Sequence, residues 1–514
     1  MTKAVYKDDK NSRIYKALKN STLTLMCQLV FLLVSFICRT IFTYLLGTEY
    51  LGVNGLFANI ITILSFTELG IGTALVYRLY GPIVDRDYRK IAALMKLYRR
   101  IYGVIIAVIL ALGLAIEPFI HFIVQAPDIN ENIRLIFGLY LIQTAVSYMF
   151  VYKKTILIAD QKSYVVNIYT QVFSIVQNAI QIIVLLINKS FVTYLMIGIV
   201  FNVISNIACS LRVDRDYREI KNYNDVRVDD DVIKGLLKDA KGLLYTKLAA
   251  TAYSGTDNIF ISIFLGIRYV GILSNYTLLL GIINGIMNKI FDSVTASIGN
   301  LISTGNKNEL SGVVKKLFFV NAFLYGIVGL EMLFLLRTFV VKIWLTDEYY
   351  LPLSVVWIVI VEMILRSMHY PVYIARNAIG AFSEYKKSMV VLACLNIILD
   401  YFWVKPFGII GLYLSTIICR EITYFLDVLV LFRLKLNTSV ITYYQYTLKW
   451  IMFLLVTVGT VFLFMKIVFL EGIAGILAYA VSFFVIYMAF FLVFFYRDDE
   501  FRFYYNLIRR IVKR

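Results

Sequence analysis

Fourteen apolar stretches, most of them near 20 residues long, follow one another between residues 21 and 495, separated by short polar segments. A helix needs roughly 20 apolar residues to cross the hydrocarbon of a bilayer, where every backbone donor and acceptor must be satisfied within the spanning structure. The spans read at 21–46, 53–77, 101–122, 135–157, 164–187, 191–211, 243–264, 271–298, 317–336, 352–372, 388–403, 408–431, 450–469 and 473–495. A buried strand or core helix is also apolar, but fourteen such runs in series point to a membrane. Only 16% of the residues are charged, against about 25% in a typical soluble domain. The chain therefore reads as an all-α polytopic membrane protein with about 14 transmembrane helices.

The net charge of +18 would suit nucleic-acid binding if it were clustered on a soluble face, but its placement follows the membrane. Counting a cation in the last five residues at either end of a span with the adjoining loop, forty of the 51 Lys and Arg residues fall in the termini and every second loop, seven fall in the other loops, and four lie deeper inside spans. Positive charge marks the cytoplasmic side, so both termini are expected in the cytoplasm and the basic loops against anionic headgroups. The multi-pass chain is expected in the cytoplasmic (inner) membrane, with membrane lipids as its surroundings. No nucleic acid is expected as a partner. The first span is too long for a signal-peptide core and no small-residue cleavage site follows it, so it is expected to be retained.

The loops on the side poor in Lys and Arg are too short to hold a domain; the longest, about 117–134, is mildly acidic. All five cysteines, Cys27, Cys38, Cys209, Cys394 and Cys419, fall within spans, where a thiol behaves as a small apolar group. Neither a disulfide nor a metal site is expected. Asp229, Asp230 and Asp231 form an acidic run, but it sits in a densely charged loop and reads as solvated.

Internal repetition divides the chain. LGTEYLG at 46–52 returns as LGIRYVG at 265–271, and Ala159–Tyr164 is echoed by Gly380–Tyr385. Six spans separate equivalent points, so the halves share an orientation and read as parallel repeats. The expected organisation is an N-terminal bundle over 1–211, a cytoplasmic linker over 212–242, a second six-helix bundle over 243–431, and two further helices with a cytoplasmic tail over 432–514. In each repeated motif the glycines read as turn residues and the tyrosine as an interfacial anchor.

Four cations, Arg39, Lys289, Arg366 and Arg420, lie within spans more than five residues from either end. An ionisable group there is costly and is read first as functional. Together they suggest an anionic cargo. Lys289 lies three residues before Asp292, and Glu362 four before Arg366, so each pair shares a helix face and can neutralise itself. Arg420 has only Glu421 nearby, and Arg39 has no acid three or four residues away; these two are the leading candidates to contact substrate. Glu68, Asp257, Asp292, Glu331 and Glu362 are candidate ion-coupling groups or charge partners, since a buried carboxylate either holds a proton or ligates a hard cation. Asp400 is a further partner for a cation on another helix. Amide pairs at helical spacing, Gln177 with Gln181, Asn202 with Asn206 and Asn284 with Asn288, either bind sugar or join helices. His121 and His369 read as isolated.

LLGTEYLGVNGLF with FTELGIGTALVYRL, TDNIFISIFLGIRYVGILSNYTLL and WLTDEYYLPL, in that order and spacing, resemble the polysaccharide repeat-unit flippases. These belong to the multidrug, oligosaccharidyl-lipid and polysaccharide exporter superfamily, and the likeness runs over roughly residues 12–495. It implies two six-helix bundles plus two C-terminal helices around a cationic cavity open alternately to each side. The implied cargo is an undecaprenyl-diphosphate-linked oligosaccharide, carried to the outer leaflet for surface polysaccharide synthesis. Glycosyltransferases and a glycan polymerase are the implied partners. No cofactor is implied, although coupling to Na+ or H+ is.

Such a cargo has an anionic head that cannot cross hydrocarbon and a tail that stays in it. The carrier needs cations for diphosphate, for which the always-charged, bidentate Arg is well suited. A peptidoglycan-precursor flippase would share these features, and a multidrug cation antiporter would share the fold. A membrane glycosyltransferase or polymerase would need a catalytic region that no loop supplies, so the chain is not expected to be an enzyme. Neither a phosphate-binding G-x-x-x-x-G-K-[ST] loop nor H-E-x-x-H occurs.

Overall fold

The computed structural model describes residues 2–68, 71–124, 128–223, 255–303, 307–379, 386–436, 439–470 and 472–512. Side chains of 2–25, and of 289–309 apart from Phe291, fall outside that description, as do the Asp229–Asp231 run, the Gly380–Tyr385 echo and most of the expected linker. The described residues are helical and contain no strand. In chain order the principal helices are α1 (Thr2–Leu64), α2 (Ile71–Val84), α3 (Tyr88–Ile116), α4 (Ile133–Tyr148), α5 (Val151–Ala159), α6 (Ser163–Asn188), α7 (Phe191–Asp216), α8 (Asp257–Phe264) and α9 (Ile267–Ser303). They continue with α10 (Lys307–Thr338), α11 (Leu353–Met368), α12 (Tyr370–Ile379), α13 (Lys386–Phe407), α14 (Ile409–Val428), α15 (Val440–Ile467), α16 (Gly472–Phe495) and α17 (Asp499–Val512).

Among the described residues ten helices are long and apolar enough to span a membrane, or eleven if α4 and α5, bent by 42°, are one span. The difference from fourteen lies at particular helices. The first two expected spans are joined in α1, which is two helices meeting at a kink where Gly47 takes φ +85°. Most of the expected seventh lies outside the described residues. The twelfth, α14, carries Arg420, Glu421 and Asp427 within 20 residues and is not among the ten. The bilayer-length helices make this a multi-pass membrane protein.

The chain divides into two compact units, 1–271 and 272–514. In the first, α3 packs on α2, α5 and α7 through a core that includes Leu75, Leu79, Tyr98, Tyr102, Ile156 and Cys209. The buried Tyr98 hydroxyl donates to the Leu75 carbonyl at 3.0 Å, so the ring adds apolar area without leaving its polar end unpaired. Asp87 caps α3, its carboxylate accepting from Lys90 N at 3.0 Å. That bond holds the Asp87 carboxyl below its ordinary range.

The repeated motif is also a repeat of backbone conformation. Gly47 has φ +85° and Gly266 φ +99°, a region open to glycine and strained for other residues. The later glycines of the two copies serve a different purpose: a Cβ on Gly52 would overlap the Ile267 carbonyl oxygen, and one on Gly271 the Thr48 carbonyl oxygen. The two copies therefore lie backbone against backbone within the first unit, an approach that side chains would prevent.

In the second unit an aromatic seam joins α10, α15 and α16. Trp450 stacks on Phe495 at 4.2 Å, Phe319 meets Trp450 edge-on at 5.5 Å, and the Tyr487 hydroxyl donates to the Phe323 carbonyl at 2.9 Å. The last 14-residue helix, α17, expected only as a tail, docks on α10: the Tyr504 hydroxyl donates to Lys316 O at 3.2 Å, and Lys316 Nζ lies 4.0 Å from the Phe503 ring centre.

Candidate functional site

Two buried polar bonds pin α11 to α10: Trp357 Nε1 donates to Leu333 O at 2.9 Å, and Asn321 Nδ2 to Ser367 O at 2.7 Å. Against the other flank α14 is held close to α13, where Asn396 Nδ2 reaches Ser415 Oγ and Thr416 Oγ1, each at 3.3 Å. With α11 and α14 adjacent, Arg420 Nη1 donates to Glu362 Oε1 at 2.6 Å. Arg366 Nε sits 3.8 Å from the same oxygen. One carboxylate, only 7% exposed, thus holds two guanidinium groups from two helices.

Glu362 and Arg366 line a cavity of about 500 Å³ within the second unit, while Arg420 is not among its described lining residues and adjoins it through Glu362. Glu362, Arg366, Asn284, Asn288, Tyr325 and Tyr413 line it, along with apolar side chains. The Tyr325 hydroxyl donates to Asn284 Oδ1 at 3.0 Å. A guanidinium that is 44% exposed, two amides and two phenols offer donors for phosphate or carboxylate and mixed donors and acceptors for sugar hydroxyls.

The expected residues separate into groups. Glu362, Arg366 and Arg420 come together; the local pairing of Glu362 with Arg366 is present, but the shorter bond goes to Arg420. The isolation that made Arg420 a leading candidate in sequence is replaced by a partner 58 positions away. Its neighbour Glu421 instead accepts at 3.0 Å from His369, whose ring stacks on Tyr424 with centroids 4.0 Å apart. His369 is therefore not isolated. Lys289 and Asp292 lie on α9 with side chains outside the described residues. Arg39 lies half-buried on α1 in the first unit, within electrostatic range of the Tyr140 and Tyr194 phenols. Glu68 and Asp257 also belong to that unit, Glu68 close to Gly72 and Asp257 in the first turn of α8.

Of the amide pairs, Gln181 and Asn206 join helices, donating to Tyr194 O at 2.9 Å and Val146 O at 3.2 Å. Asn284 and Asn288 face the cavity. Two clusters were not legible in sequence. Asp427 accepts two 2.9 Å bonds from Arg376 Nη1, both residues buried. Asp400, fully buried, accepts from Ser415 Oγ and Asn396 Nδ2, while its Oδ2 has no hydrogen-bond partner among the described residues. Asn396 and Asp400 stand four residues apart on α13 and bond each other, and their further partners Ser415 and Thr416 come from α14. No group of three or more metal-ligating side chains of His, Cys, Asp and Glu occurs among the described residues.

The fold and site define a polytopic helical membrane protein with a polar, guanidinium-bordered cavity. The chain belongs to the polysaccharide biosynthesis protein family, whose model matches residues 17–296. Among solved structures it is similar to the lipid II flippase MurJ in an inward closed conformation, with 15% identity, TM-score 0.66, and coverage of 93% of this chain and 99% of that one. It is also similar to an inward-facing multidrug resistance MATE transporter of the MOP superfamily, with 12% identity, TM-score 0.61, and 79% and 94% coverage. A MOP superfamily transporter from Pyrococcus furiosus matches with 13% identity, TM-score 0.52, and 80% and 93% coverage. Comparison with curated protein sequences yields no match. The fold is thus that of MOP transporters and flippases.

Proposed function

We propose that this protein is a flippase that moves undecaprenyl-diphosphate-linked oligosaccharide repeat units from the inner to the outer leaflet of the cytoplasmic membrane. The observation that carries this reading is the shared carboxylate: Glu362 holds Arg420 at 2.6 Å and Arg366 at 3.8 Å beside a cavity of about 500 Å³. Two guanidinium groups on one acid leave a net positive charge at the cavity edge, and an arriving diphosphate can recruit Arg366 without stripping Glu362 of its partner. Asn284, Asn288 and Tyr325 supply contacts for sugar hydroxyls. Arg39, in the first unit, is a further candidate for contact with substrate. The distribution of Lys and Arg, forty on one side and seven on the other, supports cytoplasmic termini.

Coupling to a cation is assigned to Asp400. A fully buried carboxylate with one oxygen unbonded among the described residues is suited to holding a proton or a cation, and Ser415, which bonds it, adds an oxygen donor. The second reading, a peptidoglycan-precursor flippase, is favoured by the match to the MurJ fold over 93% of this chain.

The test is reconstitution in liposomes with a fluorescent undecaprenyl-diphosphate oligosaccharide, a labelled peptidoglycan precursor and a panel of cationic drugs. Transbilayer movement of the oligosaccharide lipid, slowed by Asp400→Asn and changed when choline replaces Na+ or when pH is shifted, is the expected result. Movement of the drugs alone would overturn the reading, and preference for the precursor would select the second.

A further inference from the structure

A second polar cavity, about 170 Å³, lies inside the first unit between α5, α6 and α7. Lys154, Thr170, Ser174, Gln177, Asn202 and Asn206 contribute its polar lining. In sequence Lys154 counts as one more basic residue near a loop, beside Lys153. The structure separates the two: Lys153 Nζ bonds both oxygens of Asp214 at 2.8 Å, whereas no acid among the described residues lies in ion-pair range of the half-buried Lys154.

An ammonium brought into a bundle without a counter-charge is unfavourable, and such a group normally finds a partner. The cavity also retains unused hydrogen-bonding capacity. Gln177 donates to Gln181 at 3.4 Å, and Asn206 donates to Asn202 at 2.7 Å, but each amide carries two N–H donors and an oxygen with two lone pairs. One cation surrounded by amides and hydroxyls matches an anion that also bears hydroxyl groups. At about 30 Å³ per water, the space equals roughly five or six waters, enough for a phosphate with a short polyol or for one acidic sugar ring.

We propose that Lys154 with the α6 and α7 amides forms, within the first unit, an anion-binding subsite for the phosphate-and-hydroxyl headgroup of an anionic lipid. Both a bulk phospholipid and the diphosphate end of a glycolipid carry this chemistry. The proposal does not rest on the cargo assigned above.

Native mass spectrometry of the full-length protein, titrated separately with phosphatidylglycerol, undecaprenyl diphosphate and zwitterionic phosphatidylcholine, tests it. Lys154→Met removes the charge at similar length, so the variant should melt no lower than the wild type while binding at least one anionic probe about ten-fold more weakly. Lys154→Arg should retain binding, and phosphatidylcholine should not distinguish the variants. Loss confined to phosphatidylglycerol assigns the site to bulk lipid, and loss confined to undecaprenyl diphosphate assigns it to the glycolipid. Asn202→Leu, which leaves Lys154 in place, should weaken the same probe several-fold. Unchanged binding of both anionic probes by Lys154→Met, or by Asn202→Leu should Lys154→Met not fold, would overturn the proposal. The assay reads this site even if the protein moves no oligosaccharide lipid.

Discussion

Arg420 of α14 and Glu362 of α11 meet at 2.6 Å across 58 residues of sequence, so the positive edge of the larger cavity depends on a contact between two helices. Removing the arginine leaves a carboxylate that is 7% exposed with only the more distant Arg366. Arg420→Ala should lower stability by about 1–3 kcal/mol and reduce flipping by more than ten-fold. Glu362→Gln combined with Arg420→Gln should recover much of the thermal stability without recovering transport. Scanning fluorimetry in detergent and the liposome assay separate the two effects; full transport by Arg420→Ala would remove that residue from the substrate path.

The pair of Arg376 and Asp427, in which one guanidinium nitrogen bonds both carboxylate oxygens, is more deeply enclosed, at 4% and 8% exposure. Breaking such a pair strands a buried charge, whereas replacing both members with apolar side chains removes the desolvation cost as well. Asp427→Asn should cost about 3–5 kcal/mol, and Arg376→Met with Asp427→Leu should return close to the wild-type melting temperature. A double variant no more stable than the single one would show that the pair's further bonds, rather than its charge balance, hold α12 to α14.

Asp87 gives a pH-dependent signature outside the membrane. Its carboxyl is held below the ordinary value by the bond from Lys90 N, so the charged form is favoured in the folded state. The cap's stabilisation is complete above the carboxylate's ordinary pKa of 3.8 and is lost as pH falls through the lowered folded value. Amide exchange in the first turn of α3 should accelerate relative to Asp87→Asn below about pH 4, because the asparagine cap does not titrate. Identical acid behaviour of the two proteins would rule out the charged cap.

Hydropathy alone exposed the helices because the bilayer demands length and apolarity of each one separately. It separated the first two spans at the LGTEYLG turn, where the structure breaks at Gly47, but not the 42° bend between α4 and α5 inside the single expected span 135–157, where the chain stays apolar while its direction changes. Charge partners were harder to read. Glu362 and Arg366 share a helix, so spacing reveals them; Arg420 with Glu362, Arg376 with Asp427 and Asp400 with Ser415 join different helices, and no local period encodes which faces meet. Lys154 was hidden for the same reason, since only packing distinguishes it from Lys153.

Gly52 and Gly271 offer the sharpest test of the repeated motif. Each lies where an added Cβ would overlap a backbone carbonyl of the other copy, at Ile267 and Thr48 respectively, and a backbone cannot rotate away as a side chain can. Gly52→Ala and Gly271→Ala should each cost at least about 1–3 kcal/mol by overpacking. The double variant should cost less than the sum, because the first separation already makes room for the second methyl group. Gly103→Ala is the control: it lies within α3 with nothing inside 4 Å of an added Cβ, and should be neutral or stabilising by about 0.5–1 kcal/mol. Melting temperatures in one detergent compare all four proteins directly. If Gly52→Ala and Gly271→Ala melt with Gly103→Ala, the two motif copies do not pack backbone to backbone, and their glycines serve only as turns.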